Sequence, residues 1–514
     1  MESVDVSSSI RNDKKRKLSE EHEVGEGENR IGNLADTIVE HIMSFLPTKD
    51  AVKTSILSKR WKYLWLSVPV LDFDDESTDS VEESPFKRKL FMDFVERVLL
   101  LRDSSPIMNF SLTLTCNAPS DSSRINSWIS AAVKHKVQVL NICLFKIGEP
   151  FVLPHRLFTC ELLQELKLNM FHCLKLPSFV SFSSLKILSL NRIIFPDDHS
   201  AQKLFKVCSI LEELYLISCS WENVKAVCIS SPRIQKLHIE DKYHFPDDED
   251  DDTDDESDNT DDQNNPIYQI DDIDGHHSSD DESDDTDDQS DSDGCQFAVF
   301  GTSLKYFSYT GDFVHGCYIQ DSSSIVEAHL SACNRDRKIG YRAFKLLWGL
   351  SNAKSLKLDQ FAVDVLAHDA EELLAHLPVF NSLTHVHFDW VVLFYKREAL
   401  LTILQKFPCL SFLKFEGLSY MFQYFGTYDW ILDPVPGCFL THLKTIEISM
   451  FCGSEIELHA VKLLLKSATV LERIIISFNP GELKGTDGLK KQQEVRDQIL
   501  SFPRGSLNCL IAIS

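Results

Sequence analysis

A short apolar pattern recurs along most of this chain: apolar, two residues, apolar, one residue, apolar. It reads "VQVLNI", "LQELKL", "LKILSL", "LEELYL", "IQKLHI", "LKYFSY", "IVEAHL", "AKSLKL", "LTHVHF", "LSFLKF", "LKTIEI" and "LERIII". The starts fall at residues 137, 163, 185, 211, 234, 304, 325, 353, 383, 410, 443 and 471. Successive intervals are 26, 22, 26, 23, 70, 21, 28, 30, 27, 33 and 28 residues, so only one stands apart. That interval holds an acidic run, and removing the 48 residues from Asp247 to Gly294 leaves 70 − 48 = 22, an ordinary repeat length. The acidic stretch is therefore an insertion within one repeat.

A 20–29-residue unit with this spacing is the leucine-rich repeat signature. The alternation places a short strand in each unit, with two apolar positions turned inward and a returning helix or loop. No unit can bury its apolar side alone, so neighbours stack into one core. Exposed strand positions then line the concave face, where solenoids of this kind bind ligands. The expected lining residues include Glu165, Lys167, Lys186, Ser189, Glu213, Tyr215, Lys236, His238, Lys357, His385, His387 and Lys414. His385 and His387 share a strand face but lack a third ligand at a sensible local spacing, so they read as surface histidines.

The pattern changes before residue 76. Ile38, Ile42 and Phe45 follow helical spacing, with Leu46 extending the stripe. Pro47 stops that helix, and Thr48 is expected to cap the next, lined by Val52, Ile56 and Leu57. Ser58 can cap a third, carrying Trp61, Leu64 and Trp65. Three short helices make a piece too small to hide so much apolar surface. Either they pack onto the rest of the chain, or their apolar face awaits another protein's helices.

The stretch "NRIGNLADTIVEHIMSFLPTKDAVKTSILSKRWKYLWLSVPVLDFDD" resembles an F-box of the plant type, centred on "SFLPTKDAVKTSILSKRWKYLW". The resemblance implies docking onto a Skp-family adaptor and, through it, a cullin–RING ubiquitin ligase. By position it implies adaptor contacts at Leu34, Ile38, Ile42, Leu46, Pro47, Val52, Ile56, Leu57, Trp61 and Trp65. The family pattern usually has Leu-Pro where this chain has Leu34-Ala35, so weaker adaptor binding is expected. The C-terminal stretch resembles the FBD domain of plant F-box proteins through Trp430, Pro434, Val435, Pro436, Cys438, His442, Leu443, Lys444 and the helix "EIELHAVKLLLKSATVLE". Where that family more often has an acidic residue, Gly437 stands. Its strand–helix–strand pattern would cap the array.

The expected fold is therefore α/β: a three-helix F-box at 29–76, an irregular leucine-rich-repeat horseshoe at 110–429 and an FBD cap at 430–514. Residues 1–28 form a polar tail, and 247–294 the acidic insertion.

Charge changes this picture only locally. The formal net charge is −26, but residues 247–293 hold 24 acidic side chains and no Lys or Arg, leaving −26 + 24 = −2 elsewhere. Few apolar residues and dense like charge make disorder the default there. An EF-hand fails because Ile270 stands where Gly275 would need an acidic ligand five residues earlier. Thr253, Ser278, Ser279 and Ser290 each precede an acidic residue by three, suiting an acidophilic kinase. Lys14, Lys15, Arg16 and Lys17 form a basic cluster suited to nuclear import.

No apolar run approaches the ~20 residues needed to cross a bilayer, and "MESVDVSSSI" lacks a signal-peptide core. Fourteen cysteines without a C-x-x-C pair read as reduced thiols of a nuclear or cytoplasmic protein. Phosphate-loop, zincin and serine-elbow motifs are absent. The expectation is a non-catalytic chain with no cofactor, which binds an unidentified target protein on its repeats; membrane and nucleic acid are not expected partners. A repeat scaffold acting outside any ligase, and an acidic nuclear chaperone, are the other readings.

Overall fold

The computed structural model describes residues 34–75, 85–115, 121–145, 151–241, 294–332, 340–368, 374–389, 397–417, 432–480 and 486–514. They fall into two compact units divided after Leu188. The basic cluster Lys14–Lys17 and the acidic insertion, apart from Gly294, lie outside the described residues.

The first unit opens with the helices Asp36–Met43 and Thr48–Lys53, a 3₁₀ turn Thr54–Ile56, the helix Trp61–Leu64 and a 3₁₀ turn Trp65–Ser67. Four strands follow: β1 (Val70–Asp74), β2 (Asn109–Leu114), β3 (Val139–Leu144) and β4 (Glu165–Cys173). They pair in parallel in that order, aligning Leu71 with Phe110, Phe110 with Leu140, and Leu140 with Leu166. The apolar partners are buried, whereas residues between them face outward. Helices Pro85–Leu101 and Ser122–Lys134 make the return crossings that parallel neighbours require.

The division falls within β5 (Ile187–Ile194). Beyond it come β6 (Glu213–Ile217), β7 (Ala226–Ile229), β8 (Lys236–Glu240), β9 (Gln296–Val299), β10 (Tyr306–Thr310), β11 (Gly316–Ile319), β12 (Glu327–Ser331), β13 (Ser355–Asp359), β14 (His385–Asp389), β15 (Phe412–Glu416), β16 (Thr445–Phe451), β17 (Arg473–Phe478) and β18 (Leu510–Ile513). Strands β6, β8, β10 and β12 to β18 form one open parallel ladder in that order, while β11, β9 and β7 form a separate three-stranded sheet. β8 and β10 are direct neighbours, Lys236 opposite Tyr306, although the acidic insertion separates them in sequence.

Each of the twelve repeats of the apolar pattern enters a strand at its third residue; "LKILSL", for example, enters β5 at Ile187. Strands also occur outside the twelve repeats: β1 and β2 precede them, β18 follows them, and β7, β9 and β11 replace helical returns with strands. In the C-terminal stretch β16, the helix Glu455–Ser467 and β17 form a parallel strand–helix–strand unit. A reciprocal cap starts its helix: Ser454 Oγ accepts from the Glu457 amide, and the fully buried Glu457 carboxylate accepts from the Ser454 amide at 2.9 Å.

The family-type position Trp430 lies outside the described residues.

Candidate functional site

The first candidate surface is built by residues 34–67. Val39 and Met43 occupy the inner side of the first helix, so Ile38 and Ile42 face outward, 48% and 43% exposed. Phe45 is 75% exposed, while Leu46 is half-buried and Pro47 exposed. On the second helix Thr48 and Ala51 point inward and Val52 is half-buried. Ile56 and Leu57 then emerge at 85% and 65% exposure, and Tyr63 on the third helix is 60% exposed.

Trp61 and Trp65 lie on the other side of this division. Both are only 8% exposed, and the Trp65 indole donates to the Lys62 carbonyl at 3.1 Å. Their helical spacing suggested a shared apolar face, but that face is turned inward and holds the helices together. Leu34 is half-buried. The outward apolar set of residues 34–67 is therefore Ile38, Ile42, Phe45, Ile56, Leu57 and Tyr63. Two of these, Phe45 and Tyr63, were missing from the contacts implied by position; Phe45 already stood in the helical stripe.

Polar bonds hold that set in place. Arg60 Nε donates to Asp36 Oδ1 at 2.8 Å, and its Nη2 donates to the same carboxylate and to the Leu34 carbonyl. Ser67 Oγ donates to Glu40 Oε1 at 3.0 Å. Thr48 does not cap its helix. Pro47 occupies the cap position, and Thr48 Oγ1 instead accepts from the Asp72 amide on β1. Arg60, not Ser58, occupies the cap position of the third helix, although the Ser58 hydroxyl accepts from the Trp61 amide at 3.3 Å.

The second candidate surface is the open face of the second unit's ladder. Strand register gathers Tyr215, His238, Ser308, His329, Lys357, His387, Lys414 and Glu447 into one row. Two residues further along, Glu240, Thr310, Ser331, Asp359, Asp389 and Glu416 belong to a second row. Most expected lining residues of this unit thus fall on one face; Lys186, in the first unit, lies outside any strand. The acidic members of the second row were overlooked, although their signal was present: Glu240, Asp359, Asp389 and Glu416 each stand just after a repeat motif.

The two rows pair where Lys357 Nζ lies 2.9 Å from Asp389 Oδ2 and His387 Nε2 3.1 Å from Glu416 Oε2, while Lys414 Nζ meets Glu447 Oε1 at 2.9 Å within the first row. Burial pushes the His329 imidazole down to about 4, with Lys357 adding to the effect. Burial likewise lowers His387 and raises the Asp359 carboxyl. This face is polar, patterned and preorganised, which suits selective recognition more than bulk apolar adhesion.

Comparison with known proteins matches these regions in order. A model for the F-box domain covers residues 31–73, one described as "FBD-associated F-box protein At5g56370, LRR repeats" covers 125–247, and the FBD model covers 433–476. The F-box/FBD/LRR-repeat protein At5g56420 of Arabidopsis thaliana is 27% identical over 94% of this chain and 98% of its own length. The FBD-associated F-box protein At5g22730 of the same plant is 24% identical over 95% of this chain and 94% of its own length. A putatively named FBD-associated F-box protein, At5g56440, is 38% identical over 41% of this chain and 47% of itself. The chain thus carries F-box, leucine-rich-repeat and FBD matches in that order. Among the described residues, no helix is long and apolar enough to cross a membrane.

Proposed function

We propose that this F-box/leucine-rich-repeat/FBD chain is a substrate-recognition subunit of an SCF-type ubiquitin ligase. Its F-box docks a Skp-family adaptor, which links it to a cullin–RING core, and its repeats hold a target protein. The observation carrying this reading is the outward apolar set around Ile38, Ile42, Phe45, Ile56 and Leu57. Covering such side chains contributes roughly 1.5–3 kcal/mol for each one fully buried, and the F-box match supports an adaptor surface as what covers them. Leu46, Pro47 and Val52 would flank the contact, Leu34 would border it, and Trp61 and Trp65 would support it from beneath.

In this role the chain supplies proximity rather than bond-making chemistry. The domain limits proposed are 29–76 for the F-box, 110–429 for the repeats with 247–294 inserted, and 430–514 for the FBD cap. Lys14, Lys15, Arg16 and Lys17 would direct nuclear import, giving a nuclear and cytoplasmic distribution. A repeat scaffold outside any ligase is the second reading, and Ala35 is the feature that favours it.

Affinity purification of the full chain from plant cells discriminates the two. Recovery of both the adaptor and a cullin, lost when residues 30–75 are deleted, supports the receptor. Recovery of target proteins without adaptor or cullin supports the scaffold.

A further inference from the structure

We propose that His387, Asp389 and Glu416 form a binding site for a divalent transition-metal ion, of which Zn²⁺ is the natural probe. One ligand atom from each of the three side chains lies within 4.8 Å of the others. The donors are one imidazole nitrogen and two carboxylate oxygens, a set that suits Zn²⁺ and its first-row neighbours. Three protein donors leave at least one coordination position for water or an incoming side chain.

The scaffold beneath this group is rigid. His387 and Asp389 are two apart on β14 and so share its open face. Glu416 ends β15, directly opposite Asp389 in the parallel register. All three are half-buried, which keeps them ordered but reachable from solvent. His385, the partner that local spacing suggested for His387, is exposed and contacts Thr384 Oγ1 through Nδ1 at 2.9 Å instead. The other donors come from the same strand two residues on and from the next repeat.

Charge on this face also asks for a cation. Asp359, Asp389 and Glu416 stand opposite one another on three successive strands, where neighbours are about 4.8 Å apart. Like charges so placed destabilise a sheet. Lys357 Nζ meets Asp389 at 2.9 Å, while Lys414 turns away to Glu447. Lys357 is therefore the competitor that an arriving ion must displace from Asp389. The proposal does not depend on the ligase reading, because no adaptor or target enters the site.

The test is calorimetric titration of the full chain with ZnCl₂ at neutral pH, with circular dichroism checking each variant's fold. The expected result is one saturable site, weakened at least about tenfold by His387→Ala and by Glu416→Gln. Lys357→Met removes the competitor and should tighten binding. Absence of saturable binding overturns the proposal. So does binding that His387→Ala and Glu416→Gln leave unchanged, or a weaker site in Lys357→Met.

Discussion

The backbone amide of Asp72 donates to the Thr48 hydroxyl at 2.7 Å, joining the second F-box helix to the first strand of the sheet. Asp72 also sits opposite Ser111 of β2, so β1 is paired on one side and held by a helix residue on the other. Thr48 is only 3% exposed, and the contact satisfies an amide that would otherwise lie at an open sheet edge.

Thr48→Val keeps the shape but removes the acceptor. Leaving the amide without a partner costs roughly 1–3 kcal/mol. Thermal denaturation should therefore show a lower midpoint for the variant, and Thr48→Ser should recover most of the loss.

The inward and outward halves of the F-box should respond differently to substitution. Trp61→Ala removes a buried indole and is expected to cost about 3–5 kcal/mol. Ile56→Asp changes a side chain that is 85% exposed, and its effect on the unfolding free energy should stay within about 0.5 kcal/mol. Denaturant titration of both variants checks the contrast.

Ala35 occupies the cap position of the first helix with φ −62° and ψ 147°. A proline adopts that φ without strain, and its ring constrains the unfolded chain. Ala35→Pro should stabilise the chain by about 0.4–1 kcal/mol. It should also strengthen adaptor capture, because the first helical turn is set before binding. An unchanged melting midpoint would contradict this.

Burial raises the Asp241 carboxyl from its ordinary 3.8 to about 7, despite the hydrogen bond it accepts from Tyr309. Between those values the folded chain binds this proton and the unfolded chain has released it, so stability falls as pH rises through the window. Above the upper value the loss is complete. Asp241→Asn, which stays neutral, should flatten the decline in melting temperature between pH 4 and 7. The measurement is a series of thermal melts of both proteins across that range.

Much of this architecture is legible in the residue pattern, because strand alternation is local. Each repeat motif marks a strand and its buried side, from Leu140 on β3 to Ile476 on β17. β1 and β2 were equally legible, since "VPVLDF" from Val68 and "IMNFSL" from Ile107 fit the motif in full. The strand returns β7, β9 and β11 escaped because short apolar runs do not separate strand from helix.

The candidate sites were harder to read, for reasons of tertiary arrangement. Spacing groups Trp61 with Trp65, but only packing decides that their face is inward while Ile56 is outward. Glu416 belongs with His387 through parallel register 29 residues apart, a relationship absent from any local window.

The account rests most heavily on the outward apolar set of the F-box. Its direct test is the affinity of the full chain for a purified Skp-family adaptor, measured by calorimetry for the unaltered protein and for Ile56→Asp. The account predicts saturable one-to-one binding that falls by at least about tenfold in the variant, equivalent to about 1.4 kcal/mol, while the melting temperature is kept. Equal affinity of both proteins, or failure of the unaltered chain to bind, would contradict it.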